Sequence, residues 1–185
     1  EFVIAYAVLL RLQPMRFENK YVWLLADGST AEEYEKHHHV PGEGAVASTA
    51  PVRLAGSRLG RLAGAICYDY DFPQMGRAHA RAGAGLVVVP SSDWRGIDPI
   101  HTEMAKLRAI EGGFSVLRPV RAATSAAYDA FGRRRAALDY FGDNDRILLA
   151  TVPIRPVWTL YSRIGDVAVD HDSGDLPLET ALRGE

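Results

Sequence analysis

Cys67 is the one cysteine of the chain, and its surroundings suit a nucleophile. The run Leu62-Ala63-Gly64-Ala65-Ile66 leads into it, and an acidic, aromatic turn leads out through Tyr68 and Asp69 to Phe72-Pro73. Proline favours the first turn of a helix, so Pro73 marks a helix start. Strand, sharp bend and helix in that order lift a side chain out of a sheet. They also aim backbone N–H groups at a developing oxyanion. A buried, inert thiol is the competing reading of a lone cysteine. A second polar concentration lies upstream, in Tyr34-Glu35-Lys36-His37-His38-His39-Val40-Pro41-Gly42-Glu43. Consecutive histidines in a loop rarely converge on one ion, and no carboxylate or cysteine stands at a supporting spacing. Neither a metal nor any other cofactor is expected.

Elements that could position these residues are legible on both sides. Phe2 to Leu10 reads as a buried strand, Asn19 to Leu25 as a second, and Asp27-Gly28 as its turn. Thr30 to Tyr34 is short and polar, and Ala45 to Arg58 reads as loop with one edge strand. Pro73 to Ala82 is a helix closed by Gly83, and Leu86 to Val89 is an all-apolar central strand. Ser91-Ser92-Asp93-Trp94 follows that strand end, where layered α/β folds bind ligands. The spacing predicts a second helix over Pro99 to Glu111, with Met104, Leu107 and Ile110 facing the core. Strands without intervening helices follow at Phe114–Leu117, Ala122–Tyr128, Arg135–Tyr140 and Ile147–Pro153. Trp158 to Asp166 reads as a semi-ordered arm, and 167–185 as an acidic, frayed tail. The pattern is that of layered sheets with helices packed outside.

Composition bounds the function. The chain has 185 residues, 48% of them hydrophobic, enough for one domain with a core. A formal net charge of −2 argues against a nucleic-acid partner, and Arg133-Arg134-Arg135 reads as a solvated hairpin face. One cysteine excludes an intrachain disulfide. The apolar run Phe2 to Leu10 is too short to span a bilayer and lacks signal-peptide features. The chain opens without methionine inside a strand, so a preceding segment is expected.

From about Asn19 to Arg163 the chain resembles the carbon–nitrogen hydrolase (nitrilase) superfamily. The likeness rests on the Lys36 loop, Cys67 with Phe72-Pro73, Ser92-Asp93-Trp94, and Met104 through Glu111. Within it, Tyr34–Glu43, the stretch from Leu117 to Asp129, and Thr159–Asp166 are most similar to the nitrilase-type domain of apolipoprotein N-acyltransferases. The resemblance implies an α/β fold, an α-β-β-α sandwich incomplete at the N-terminus, over 1–166. It implies Cys67 as a nucleophile that forms a thioester, Lys36 as stabiliser of thiolate and oxyanion, and Glu43 as a supporting carboxylate. Tyr68, Asp93, Trp94 and His38 are expected around the substrate. Glu111 matches a family position near the site, but a helix-end carboxylate is more often structural. The family's general-base Glu has no match here; Glu1 begins a strand instead of ending one. Alone, this chain is expected to be inactive.

Two enzymatic readings follow from the resemblance. One transfers an acyl group from phospholipid to a lipoprotein amine, on the outer side of the cytoplasmic membrane. The other is a cytoplasmic amidohydrolase of a small amide. A non-catalytic remnant is the third reading. Homo-oligomers are expected if the fold leaves apolar surface uncovered.

Overall fold

The computed structural model describes residues 1–168, two sheets packed face to face with helices on one side. The first sheet carries β1 (Phe2–Arg11), β2 (Arg16–Leu24) and β3 (Thr30–Glu35) in antiparallel order, with β4 (Ala45–Val46) parallel to β2. The second has the order β12-β11-β9-β7-β6-β5. Its members are β5 (Ala55–Ser57), β6 (Gly60–Gly64), β7 (Leu86–Val88), β9 (Ser115–Arg118), β11 (Thr124–Tyr128) and β12 (Arg134–Asp139). β6, β7 and β9 are parallel, joined through α1 (Pro73–Ala82) and α2 (Ile100–Gly112). β8 (Ser91–Ser92) and β10 (Val120–Arg121) pair just beyond the C-terminal ends of β7 and β9. That is the end of a parallel sheet at which ligand sites form.

Alternation along β2 and β3 turns Tyr21, Trp23, Glu32 and Tyr34 towards the second sheet. Tyr21 and Tyr34 stack at 5.0 Å and lie in one core with Leu62, Ala63, Val87 and Val116. Gly64 makes this approach possible: a Cβ there would stand 2.5 Å from Tyr21 Cζ. The Tyr21 hydroxyl donates to buried Glu32 at 2.7 Å, and burial pushes that carboxyl up to about 7.

Several expectations need correction. Phe2 to Leu10 is a strand but not a buried one: Phe2, Leu9 and Leu10 are more than half exposed, because β1 is the sheet's edge. Among the described residues no helix covers the outer face of this sheet. Thr30 to Tyr34, read only as short and polar, belongs to the strand Thr30–Glu35, whose inward residues are Glu32 and Tyr34. In α2, Leu107 and Ile110 point outward. His101, Thr102, Ala105, Arg108, Ala109 and Gly112 are buried instead, because α2 lies close against α1 and the Cys67 turn. Ile147–Pro153 forms no strand. It crosses the sheet end, where Ser115 Oγ donates to Pro153 O, and Val157 N–H donates to Gly113 O just beyond it. The arm after Trp158 is ordered as α3 (Leu160–Ile164), capped by the Thr159 hydroxyl and held by Arg81 on Ser162 O. Residues 169–185, most of the acidic tail, lie outside the described residues.

Candidate active site

β6 delivers Cys67. Ala65 N–H donates to Val88 O and Cys67 N–H to Pro90 O, so pairing with β7 and the residues just after it persists up to the bend. There Cys67 adopts φ 51°, a left-handed conformation unusual for a residue with a side chain. A 3₁₀ turn, Cys67–Asp71, then runs into α1. The bend brings Cys67 to a cleft of about 520 Å³ that Lys36, Glu43, Tyr6 and Arg121 also line.

Lys36 enters from the end of β3. Its N–H donates to Asn19 O at 2.8 Å and its carbonyl accepts from Ser48 N–H at 2.9 Å. The side chain is buried, with Nζ 3.6 Å from Glu43 Oε2. The other two walls of the cleft come from the β8–β10 pair and from apolar residues, among them Phe17, Ile66, Pro90 and Pro119.

One carboxylate joins the Lys36 loop to the Cys67 turn. Asp69 is wholly buried. Its Oδ1 accepts from the N–H groups of His37 (3.1 Å) and His38 (2.7 Å). Its Oδ2 accepts from the Tyr34 hydroxyl (2.7 Å) and from Ile66 N–H (3.1 Å). Both candidate reactive residues are thus registered against a single side chain.

Beneath the sulfur lies a second polar cluster. Cys67 Sγ stands 3.6 Å from Asp93 Oδ1, and the other oxygen of Asp93 accepts from Arg118 at 2.9 Å. His101 Nδ1 is 3.3 Å from Asp93 Oδ1, and its Nε2 is 3.0 Å from Asp71 Oδ2. Asp71 and then Asp93 push His101 up to about 9. Burial works to raise Asp93, but His101 and Arg118 outweigh it and hold the carboxyl below its ordinary range. The thiol of Cys67 is pushed up, by burial first and by the charge of Asp93, against the pull of Lys36 and Arg118. At neutral pH the resting sulfur therefore carries its proton.

Cys67, Lys36 and Glu43, three of the residues expected from sequence, meet in the cleft. The remaining four do not line it. Asp93 lies below the sulfur. Tyr68 packs on Phe72 and His101, and Trp94 is 54% exposed with its edge to His101. His38 stacks on Phe72 at 3.9 Å. His37 faces Tyr34 and Ala50 while His39 is exposed, so the three histidines diverge. Glu1 is bound to Trp23 and Ser57, and Glu111 to Arg108, both off the cleft lining. Sequence reasoning missed Asp69, Asp71, His101, Arg118 and Arg121. The two aspartates stand in the turn already singled out. His101 was readable only as a polar residue on a helix face.

A family model described as "Carbon-nitrogen hydrolase" matches residues 2–157. The apolipoprotein N-acyltransferase of Shewanella oneidensis is 36% identical over 114 residues, covering 59% of this chain and 22% of that protein. The deaminated glutathione amidase of Homo sapiens is 33% identical over 111 residues, covering 54% and 34%. The chain thus spans about a fifth to a third of the length of these relatives. The crystal structure of a carbon–nitrogen hydrolase from Helicobacter pylori G27 superposes with a TM-score of 0.69 at 18% identity, covering 81% of this chain and 60% of that one. A family match over most of the chain, a shared fold, and a cysteine at a strand-to-helix bend in a cleft together establish that the chain belongs to the carbon–nitrogen hydrolase family, in the nitrilase superfamily.

Proposed function

We propose that the protein carries out thiol acyl transfer through a thioester at Cys67. The observation that carries this is the meeting of Cys67, buried Lys36 and Glu43 in one cleft. Cys67 Sγ attacks the carbonyl of an amide or ester. The Lys36 cation and the Tyr68 backbone N–H hold the oxyanion, and Glu43 orients Lys36. The leaving group departs with a proton, and an amine or water then attacks the thioester. Glu43 is the one carboxylate lining the cleft among the described residues, and it faces Lys36. The base that takes the Cys67 proton is not among the described residues that line the cleft, so acylation by residues 1–168 alone is slow.

The acyl donor we favour is phospholipid, with a lipoprotein amine as acceptor. The apolar walls at Phe17, Ile66, Pro90 and Pro119 suit an acyl chain, and the likeness to apolipoprotein N-acyltransferases supports the reading. On this reading the domain works at the outer face of the cytoplasmic membrane. The likeness to amidases favours a second reading, hydrolysis of a small amide in the cytoplasm. No helix among the described residues is long and apolar enough to cross a membrane.

Intact-mass spectrometry separates the readings. The protein, expressed from its whole reading frame, is incubated with phospholipid vesicles or with a short aliphatic amide. An acyl-chain adduct on Cys67, absent from Cys67→Ala, supports the transferase; a short acyl adduct from the amide alone supports the hydrolase. Unchanged mass with both donors would overturn the thioester itself.

A further inference from the structure

We propose that Cys67, Asp93 and His101 form a binding site for a borderline-soft divalent cation of the zinc type, and that its occupancy blocks the thiol. The inference stands on geometry and is independent of which acyl chemistry Cys67 performs. Sulfur, imidazole and carboxylate are the ligand set that zinc prefers. Here their ligand atoms all lie within 4.8 Å of one another. Two of the three edges match those of a tetrahedral shell. With metal–sulfur bonds of about 2.3 Å and metal–oxygen or metal–nitrogen bonds of about 2.0 Å, the S···O edge is ~3.5 Å and the O···N edge ~3.3 Å. The observed edges, Sγ to Asp93 Oδ1 and Asp93 Oδ1 to His101 Nδ1, are 3.6 and 3.3 Å.

Outer contacts fit as well. Asp71 holds His101 through Nε2 at 3.0 Å, the carboxylate–histidine pairing that turns the other ring nitrogen towards a metal. Arg118 occupies only Oδ2 of Asp93 and leaves Oδ1 for the ion. Cys67 lines the open cleft, so a water can complete the fourth position. Binding forms three metal–ligand bonds and releases one proton from Cys67 Sγ and one from His101. The three histidines 37–39, the obvious metal candidates by sequence, take no part.

Cobalt(II) chloride is the probe, added to the whole chain in a buffer that does not chelate. The expected result is a near-ultraviolet sulfur-to-cobalt charge-transfer band that saturates at one equivalent and is lost in Cys67→Ser. His101→Gln weakens binding at least tenfold. Asp71→Asn, which touches no ligand atom, weakens it about tenfold to a hundredfold. His39→Gln leaves it unchanged. In parallel, zinc chloride slows alkylation of Cys67 by iodoacetamide in the parent protein, and much less so in His101→Gln. Circular dichroism checks that each variant is folded; should His101→Gln unfold, Asp71→Asn decides. Absence of the band, equal affinity in a folded His101→Gln or Asp71→Asn, or unprotected alkylation would each overturn the proposal.

Discussion

Replacing Asp69 by asparagine tests the claim that one carboxylate registers Lys36 against Cys67. The change preserves shape and removes one acceptor atom and the charge. Four N–H and O–H donors converge on the two oxygens, the His37 and His38 N–H groups on one and the Tyr34 hydroxyl and Ile66 N–H on the other, and His38 Nδ1 lies 3.2 Å from the first. Asparagine has a single acceptor oxygen, so its NH₂ group must face one of the two pairs. The better choice sets NH₂ against Tyr34, whose hydroxyl can turn to accept. That still leaves Ile66 N–H buried against a donor. A hydrogen bond to a charged group contributes about 1.5–3 kcal/mol, and a buried group left unsatisfied costs about 1–3 kcal/mol. The expected loss is therefore ~4 kcal/mol. With a urea slope of about 2 kcal/mol/M, the unfolding midpoint falls by ~2 M. Tyr34→Phe removes one donor to that charge and leaves the other three in place, so it should cost less, about 1.5–3 kcal/mol. Iodoacetamide provides the local readout. If opening of the Lys36 loop carries half of the loss, Cys67 alkylation accelerates more than about tenfold. A midpoint in Asp69→Asn no lower than that of Tyr34→Phe, with unchanged alkylation, would refute the reasoning.

Four further outcomes follow from packing and charge. Gly64→Ala puts a methyl group 2.5 Å from the ring of Tyr21, which is fully buried and tied to Glu32, and should cost about 1–3 kcal/mol in urea unfolding. Gly56→Ala, with nothing within 4 Å of the new atom, should stay within ~0.5 kcal/mol. His79 is wholly buried against Tyr70, and burial lowers it from 6.5 to about 4. The unfolded chain then takes up the proton first. Stability falls as pH drops from 6.5 to 4, by roughly 3 kcal/mol, and His79→Gln removes that slope. Glu32, raised to about 7, has the opposite sign: it loses stability as pH rises from 4.5 to 7, and Glu32→Gln removes that term. Finally, the open, apolar β1 edge should drive concentration-dependent association, detected by light scattering after gel filtration. Ile4→Lys with Leu9→Lys, both on exposed positions, should suppress it.

Elements with local signals were legible in the sequence. Proline at the first position and a left-handed Gly83 bracket α1 at the expected residues, and an all-apolar triplet marks β7. The Cys67 bend was legible for the same reason, since strand, turn and helix signals lie within a dozen residues. What failed depended on distant partners. Phe2 to Leu10 is apolar on both faces, and only the sheet order shows that it is an edge. In α2 the period of Met104, Leu107 and Ile110 is real. Yet the narrow space beside α1 admits Ala105 and Ala109, Arg108 lies along Gly76 of α1, and the site end draws in His101. The polar site residues were hardest to read. Asp69 finds its acceptor role 31 to 35 residues away, and Asp93 finds Arg118 25 residues on. Nothing local distinguishes such a carboxylate from a solvated one.

The turn after Cys67 holds two aspartates because the sulfur has to be registered on two sides. Asp69 faces back to the Lys36 loop, and Asp71 faces forward to His101 on α2. Just ahead of both, at Cys67, the backbone is bent at φ 51°, a conformation that costs of order 1 kcal/mol or more and persists only where its surroundings over-determine it. The aspartates supply that determination, one against each neighbouring element. Beneath the sulfur, Asp93 works against thiolate by its charge, while Lys36 and Arg118 work for it, and burial gives protonated sulfur the advantage. A thiol kept neutral at rest does not react without a partner to take its proton. The same arrangement therefore joins two properties that the proposed acyl transfer needs: a sulfur fixed in position, and a thiol that stays silent until a base, or a competing cation, displaces its proton.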